Sequence, residues 1–225
     1  MPKRPSHILI LAAMKLEIAP LIKRYPNDAD LDFLVAGIGA DRMAHRLKIY
    51  LDQAAHDISH DISHVLHVGV AGGLNPALRA GQVLRFGRVL RNDAPPLVLG
   101  DETHALLTTD HLAASPKAKQ ALFDQHHADA VDMETYDVAK LLMDRGIRFT
   151  AMRAISDAAN TALPPESGQW VDEAGTPNPW AAMRYLACRP HKLPAMLQLQ
   201  RAMQRATTQL AHETSSLIER LRDET

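Results

Sequence analysis

VDMETYDVAKLLMDRGIRFTAMRAISDAAN, Val131 to Asn160, reads as a strand, a helix and a strand, and places two carboxylates, Glu134 and Asp157, where such a unit returns to one sheet edge. Ala128 to Asp132 has the pattern of a short buried strand. Met133 to Arg145 has helical spacing, with Val138, Leu141 and Leu142 on one face and Gly146 as the stop, and Arg148 to Ser156 forms the second strand. A helix of roughly 13 residues climbs about 20 Å, and a strand of about 7 residues descends a similar distance. With the usual right-handed crossover between parallel strands, Glu134 and Asp157 share the carboxyl edge, where open α/β sheets bind ligands.

Working outward, Ile8 to Ala13 reads as a first buried strand and Leu16 to Ile22 as a short helix. Leu31 to Ala36 is a strand ending in Gly37-Ile38-Gly39, and Ala40 to Ala55 is helical. Val65 to Val70 is another buried strand, followed by Ala71-Gly72-Gly73-Leu74, and Gln82 to Leu90 alternates in the β manner. The glycines near Gly39 fit either a ligand approach or a tight strand-to-helix turn, and the third glycine of a dinucleotide fingerprint is missing. Residues 158–192, rich in Pro, Gly and Asn and holding Trp170 and Trp180, form a long irregular excursion, read either as a lid or as a packed surface loop. A helix closes the chain over residues 193–222. The pattern predicts one α/β domain over residues 1–225, a three-layer α/β/α sandwich around a mixed, mostly parallel twisted sheet.

A chain of 225 residues with 46% hydrophobic content can bury a full core. Its formal net charge of −1 gives no reason to expect nucleic acid as partner. No apolar run is long enough to span a membrane, and the single cysteine, Cys188, has no internal partner, which agrees with a cytoplasmic location. His56, His60 and His64, in a tandem repeat of His-Asp-Ile-Ser, would align on a helix and hold a metal. The plainer reading, a solvated connection before the strand at Val65, is preferred, and neither metal nor cofactor is expected.

The motifs resemble those of the nucleoside phosphorylase and nucleosidase superfamily. Ala13-Met14-Lys15-Leu16-Glu17 is similar to its first-strand motif, Gly37-Ile38-Gly39 to its second-strand turn, and Gly69 to Leu74 to its glycine-rich centre. Asp132-Met133-Glu134 and Arg153-Ala154-Ile155-Ser156-Asp157 are the most specific matches. In the methylthioadenosine/S-adenosylhomocysteine nucleosidase branch, the resemblance implies that Glu17 activates water, Glu134 holds ribose hydroxyls and Met133 packs on the sugar. Asp157, oriented by Ser156, would protonate the purine, and Ala71, Gly72, Leu112 and Ala113 would line the substrate. These roles agree with the chemistry, because N-glycosidic cleavage needs an anion near an oxocarbenium-like sugar and an acid near the departing base. By position alone, Glu17 also reads as an exposed helix-start carboxylate. Asp157 would have to keep or share a proton, which apolar surroundings would favour.

Departures from the family narrow the expectation. Val70 stands where relatives carry Ser or Thr, and no phosphate loop follows Gly39, so water is favoured over phosphate as acceptor. Leu112 replaces an adenine-stacking phenylalanine, and Asn160 replaces a second aspartate. Ala162 to Pro165, Val171 to Gly175 and Arg189 to Leu197 resemble the tail of hopanoid-associated phosphorylases. That resemblance implies adenosylhopane, a nucleoside with a lipid 5′ substituent, as substrate, and the wider family implies a homodimer or higher homo-oligomer. The alternatives are a methylthioadenosine/S-adenosylhomocysteine nucleosidase, a phosphate-dependent phosphorylase, and a non-catalytic nucleoside-binding protein.

Overall fold

The computed structural model describes residues 7–56, 62–163 and 193–224. Eight strands run as β1 (His7–Ala12), β2 (Leu31–Val35), β3 (Ile62–Gly73), β4 (Val83–Arg91), β5 (Leu97–Val98), β6 (His104–Thr108), β7 (Ala130–Asp132) and β8 (Arg148–Asp157). The helices are α1 (Lys15–Arg24), α2 (Ala40–Ala54), α3 (Pro116–His126), α4 (Thr135–Asp144) and α5 (Leu193–Asp223). Trp170, Trp180, Cys188, His60 and most of the expected 158–192 excursion lie outside the described residues, as does much of the tail pattern.

The sequence HILILA of β1 has no polar face because both faces of the sheet are covered, as a central parallel strand requires. Ile8, Ile10 and Ala12 pack with Ile18 and Leu21 of α1 and with Leu210 and Ile218 of α5. Leu9 and Leu11 point the other way, into Met43 and Leu47 of α2 and Val138 and Leu142 of α4. The expected α/β domain with helices on both faces of a mixed sheet is what forms. Five strand pairings are parallel and three antiparallel, so parallel pairing dominates.

The sheet does something the linear pattern did not show. Pairing runs β3–β7–β6–β4–β8 and back to β3, so five strands close into a ring, with β1 and β2 extending from β3. Strand β4 makes this possible by pairing β8 antiparallel over Val83–Phe86 and β6 parallel over Phe86–Arg91. Leu78, Phe86, Leu106, Ala151 and Ile155 form one core cluster of the ring strands and the turn after β3.

Three sequence expectations change. The strands flanking the opening motif are not parallel neighbours: β7 lies antiparallel to the end of β3, while β8 lies parallel to β3. Glu134 and Asp157 are therefore related through β3, where Gly72 pairs with both Val131 and Asp157. Next, β3 does not stop at Val70 but runs on through Gly72 and Gly73. A Cβ on Gly73 would sit 3.1 Å from the Asp157 carbonyl oxygen and 3.2 Å from Ile155 Cγ2, so bare backbone lets the strands approach this closely. Finally, β3 begins at Ile62, which puts His64 in a strand and breaks the helical alignment of the histidine repeat. His64 is buried against Thr150 Oγ1 at 2.9 Å rather than solvated, and burial followed by the Arg148 charge lowers its imidazole to about 4. Among the described residues there is no cluster of metal-ligating side chains, and no helix is long and apolar enough to cross a membrane.

Candidate active site

Glu17 comes from the first turn of α1 and is 3% exposed, not a solvated helix-start acid. Its Oε2 accepts from Met14 N at 2.8 Å, capping the helix, and its Oε1 accepts from Val70 N at 3.0 Å in the second half of β3. Each oxygen keeps a further lone pair for a ligand. Burial raises its carboxyl above the ordinary glutamate range, against the pull of the Met14 and Val70 amides and of Arg153. Gly69 is needed here, because a Cβ would stand 2.9 Å from Glu17 Oε1. The clash is with the tip of a flexible side chain, so Gly69→Ala is expected to fold while displacing the carboxylate. A misplacement near 1 Å costs about 10² in rate. Assay of turnover beside a thermal melt checks this: a large loss of activity with little change in Tm is the expected pair.

Glu134 stands at the N-cap position of α4, but its side chain turns away from the helix to the glycine turn after β2, accepting from Gly39 N at 3.0 Å and from Met133 N at 3.3 Å. Gly37 and Gly39 have φ of 88° and 98°, which glycine adopts without strain, so the turn reading of this motif holds, and its amide serves Glu134. Burial, then the charge of Asp132, pushes the Glu134 carboxyl up to about 7, with a smaller upward push from Glu17. A raised acid in the folded state holds its proton more tightly than the unfolded chain does. Its contribution to stability is full below about pH 4.5 and lost as the pH rises through about 7. Relative to Glu134→Gln, the unfolding free energy of the wild type is therefore expected to fall across that window, as denaturant titrations at several pH values would show.

Beneath the two glutamates lies Arg153, 2% exposed, the counter-charge of the cluster. It donates to Asp132 Oδ2 at 3.0 Å, to Thr135 Oγ1 at 2.6 Å and to the His67 carbonyl at 2.7 Å. Asp132 also accepts from Thr108 and Thr135, so the charge pair is wrapped in hydrogen bonds as burial demands. Burial, and then Arg153, keep the His67 imidazole well below its ordinary value, so it is neutral.

Asp157 ends β8 and is 4% exposed. Its surroundings are not apolar: Oδ2 accepts from Lys119 Nζ, and Oδ1 meets Ser156 Oγ. Ser156 Oγ lies 3.1 Å from the Ala71 carbonyl, linking Asp157 to β3. Lys119 is 1% exposed and also donates to Ala158 O at 2.9 Å and Thr161 O at 3.1 Å. The sequence reading missed this lysine. One signal existed: Lys119 shares the inward stripe of α3 with Leu122 and Phe123, where an unpaired cation would be costly.

Met133, Glu134, Ala71, Gly72, Ser156 and Asp157 thus gather around the carboxyl end of β3, with Glu17 reaching the same strand at Val70. Leu112 is 46% exposed, whereas Ala113 is buried in the core beside Val131. Their segment lies against the chain that leaves Asp157, with Leu163 N donating to Ala114 O at 2.8 Å. A surface cavity lined by Arg85, Phe86, Leu99, Glu102, Phe149 and Thr150 opens near the start of β8, the end of that strand away from Asp157, and holds none of the three carboxylates.

The mixed sheet and its helices give the chain the same α/β fold as solved nucleosidase structures. A sequence model of the phosphorylase superfamily matches residues 99–178, the stretch holding Lys119, Glu134 and Asp157. Comparison with curated proteins gave no match. Among solved structures, the chain is similar to 5′-methylthioadenosine/S-adenosylhomocysteine nucleosidase from Helicobacter pylori, with TM-score 0.68 and 16% identity over 96% of this chain and 98% of that one. Futalosine hydrolase of the same organism matches with TM-score 0.67 and 16% identity, over 96% and 98%. A putative 5′-methylthioadenosine/S-adenosylhomocysteine nucleosidase from Borrelia burgdorferi, bound to adenine, matches with TM-score 0.67 and 16% identity, over 94% and 99%.

Proposed function

We propose that the protein hydrolyses the N-glycosidic bond of an adenosyl-type purine nucleoside and releases adenine. The observation that carries this reading is the set of three buried carboxylates on segments joined by β3: Glu17 accepts from Val70 N, Glu134 follows β7, whose Val131 pairs with Gly72, and Asp157 itself pairs with Gly72. Glu134 accepts hydrogen bonds from ribose hydroxyls, and Met133 packs on the sugar. As the C1′–N9 bond breaks, its electron pair moves into the base, and Asp157 gives a proton to N7. Glu17 takes a proton from the water whose oxygen bonds to C1′, and its negative charge steadies the oxocarbenium-like sugar. Water rather than phosphate is the nucleophile: position 70 carries no hydroxyl, and the Val70 amide is occupied by Glu17.

The adenine-bound Borrelia burgdorferi relative supports the choice of base. The resemblance of the tail to hopanoid-associated phosphorylases supports adenosylhopane as the substrate. The same reading makes the protein a cytoplasmic homodimer, which sedimentation analysis would check.

Adenine release in phosphate-free buffer, followed by liquid chromatography across nucleosides with methylthio, homocysteine and hopane 5′ substituents, tests the proposal. Phosphate-independent release that is best with the lipid substituent is expected. In Asp157→Asn, kcat should fall by about 10² to 10⁴, the usual worth of general acid catalysis. Strict dependence on phosphate would replace hydrolysis with phosphorolysis. Binding of adenine compounds without turnover in wild type and variant alike would end the enzyme reading.

A further inference from the structure

Lys119 plays no part in the reaction just described, yet its burial is the hardest to justify on packing grounds. An ammonium has three N–H groups, and each has an acceptor here: Asp157 Oδ2, Ala158 O and Thr161 O. Two of these are backbone carbonyls of the segment that follows Asp157, so the cation is held in place independently of the carboxyl. The side chain is 1% exposed and sits on the inward stripe of α3, a place an apolar residue would fill at no electrostatic cost.

The other oxygen of Asp157 carries a second constraint. Ser156 Oγ lies within hydrogen-bond reach of both Asp157 Oδ1 and the Ala71 carbonyl, the latter at 3.1 Å. A hydroxyl has one hydrogen, and a carbonyl oxygen only accepts. Ser156 Oγ is the donor to both, so its hydrogen is shared between the Asp157 carboxyl and the Ala71 carbonyl, and the hydroxyl ties the acid to β3. The two oxygens of one carboxyl are thereby given different tasks. Oδ1 is tethered by the Ser156 hydroxyl, and Oδ2 is anchored to a fixed cation.

We propose that Lys119 is a positioning residue for base departure, holding Asp157 in place and stabilising the carboxylate that forms when Asp157 protonates the leaving purine. This rests on the glycosidic-cleavage reading above. In the step, a proton passes from the Asp157 carboxyl to purine N7, the C1′–N9 electron pair goes to the base, and Asp157 becomes a carboxylate. Lys119 keeps all its protons, and the local charge of the pair goes from +1 to 0. Fixed charge aimed at where charge develops is the arrangement that lowers a barrier without reorganisation.

The test compares two leaving groups on the same 5′-substituted ribose: adenine, which must be protonated to depart, and 4-nitrophenolate, which leaves as a stable anion. In Lys119→Met, kcat for adenine release is expected to fall by about 10² or more with KM little changed, while nitrophenolate release falls by less than about tenfold. Lys119→Arg, which keeps the charge, should recover part of the adenine rate, and it carries the comparison alone if Lys119→Met does not fold. Equal losses with both leaving groups would overturn the proposal, since that is the mark of a merely structural lysine. So would an adenine rate within about fivefold of wild type in Lys119→Met. Wild-type protein that releases neither group overturns the hydrolase reading itself, a result distinct from an unfavourable leaving-group ratio.

Discussion

Glu17→Gln is expected to lower kcat for adenine release by about 10² to 10⁴, the range that general base catalysis supplies, while leaving the fold intact. The side chain keeps its length and its path between α1 and β3. What it loses is the ability to take a proton from water and the negative charge beside the sugar. A smaller structural effect comes with it. Both oxygens of Glu17 accept backbone N–H groups, from Met14 and Val70, and an amide NH2 at either place faces a donor with a donor. One amide left without a partner costs about 1–3 kcal/mol. Removal of a buried acid whose charged form is disfavoured by desolvation works the other way, so the two effects oppose each other. Single-turnover kinetics with a parallel denaturant titration separate them. A variant within about fivefold of wild type in kcat would show that the water is activated elsewhere.

Arg153→Met is expected to cost about 3–5 kcal/mol of stability, because it leaves Asp132 as an uncompensated buried charge. Asp132 would keep the hydrogen bonds from Thr108 and Thr135 but lose the buried cation it pairs with. The same change removes the positive charge that holds Glu17 and Glu134 down, so both carboxyls rise further, and activity at neutral pH falls along with stability. Adding Asp132→Asn to Arg153→Met should recover part of the loss, since the buried negative charge goes too. Equilibrium unfolding of the two single variants and the double variant measures the coupling. A cost under about 1 kcal/mol for Arg153→Met would mean that the pair is solvated in solution.

Much of the scaffold was legible in local pattern. The opening segment formed its helix and second strand close to the expected bounds, and β1, β2, α1 and α2 followed their apolar periodicity. The strands β5 and β6 and the helix α3 were not read. Leu97–Val98 and His104–Thr108 are too short for alternation to show, and α3 carries few buried side chains. The end of β3 was misread for another reason. Glycine usually marks a turn, but Gly72 and Gly73 continue the strand because two neighbouring strands press against them.

By itself, the sequence determined β1, β2, α1, α2, α4 and β8 and the residue types at their ends, because periodicity and turn chemistry act over a few neighbouring residues. Glu134 and Asp157 were identifiable on that basis, whereas Glu17 was singled out only by the resemblance of its motif to the nucleosidase family. Tertiary structure alone decided what they face. Glu17 reaches Val70 across 53 positions, Gly39 reaches Glu134 across 95, and Lys119 reaches Asp157 across 38. Those meetings depend on strand register and on the closure of β3, β7, β6, β4 and β8 into a ring. Register is a property of the pairing between strands, and no local pattern in a single strand contains it.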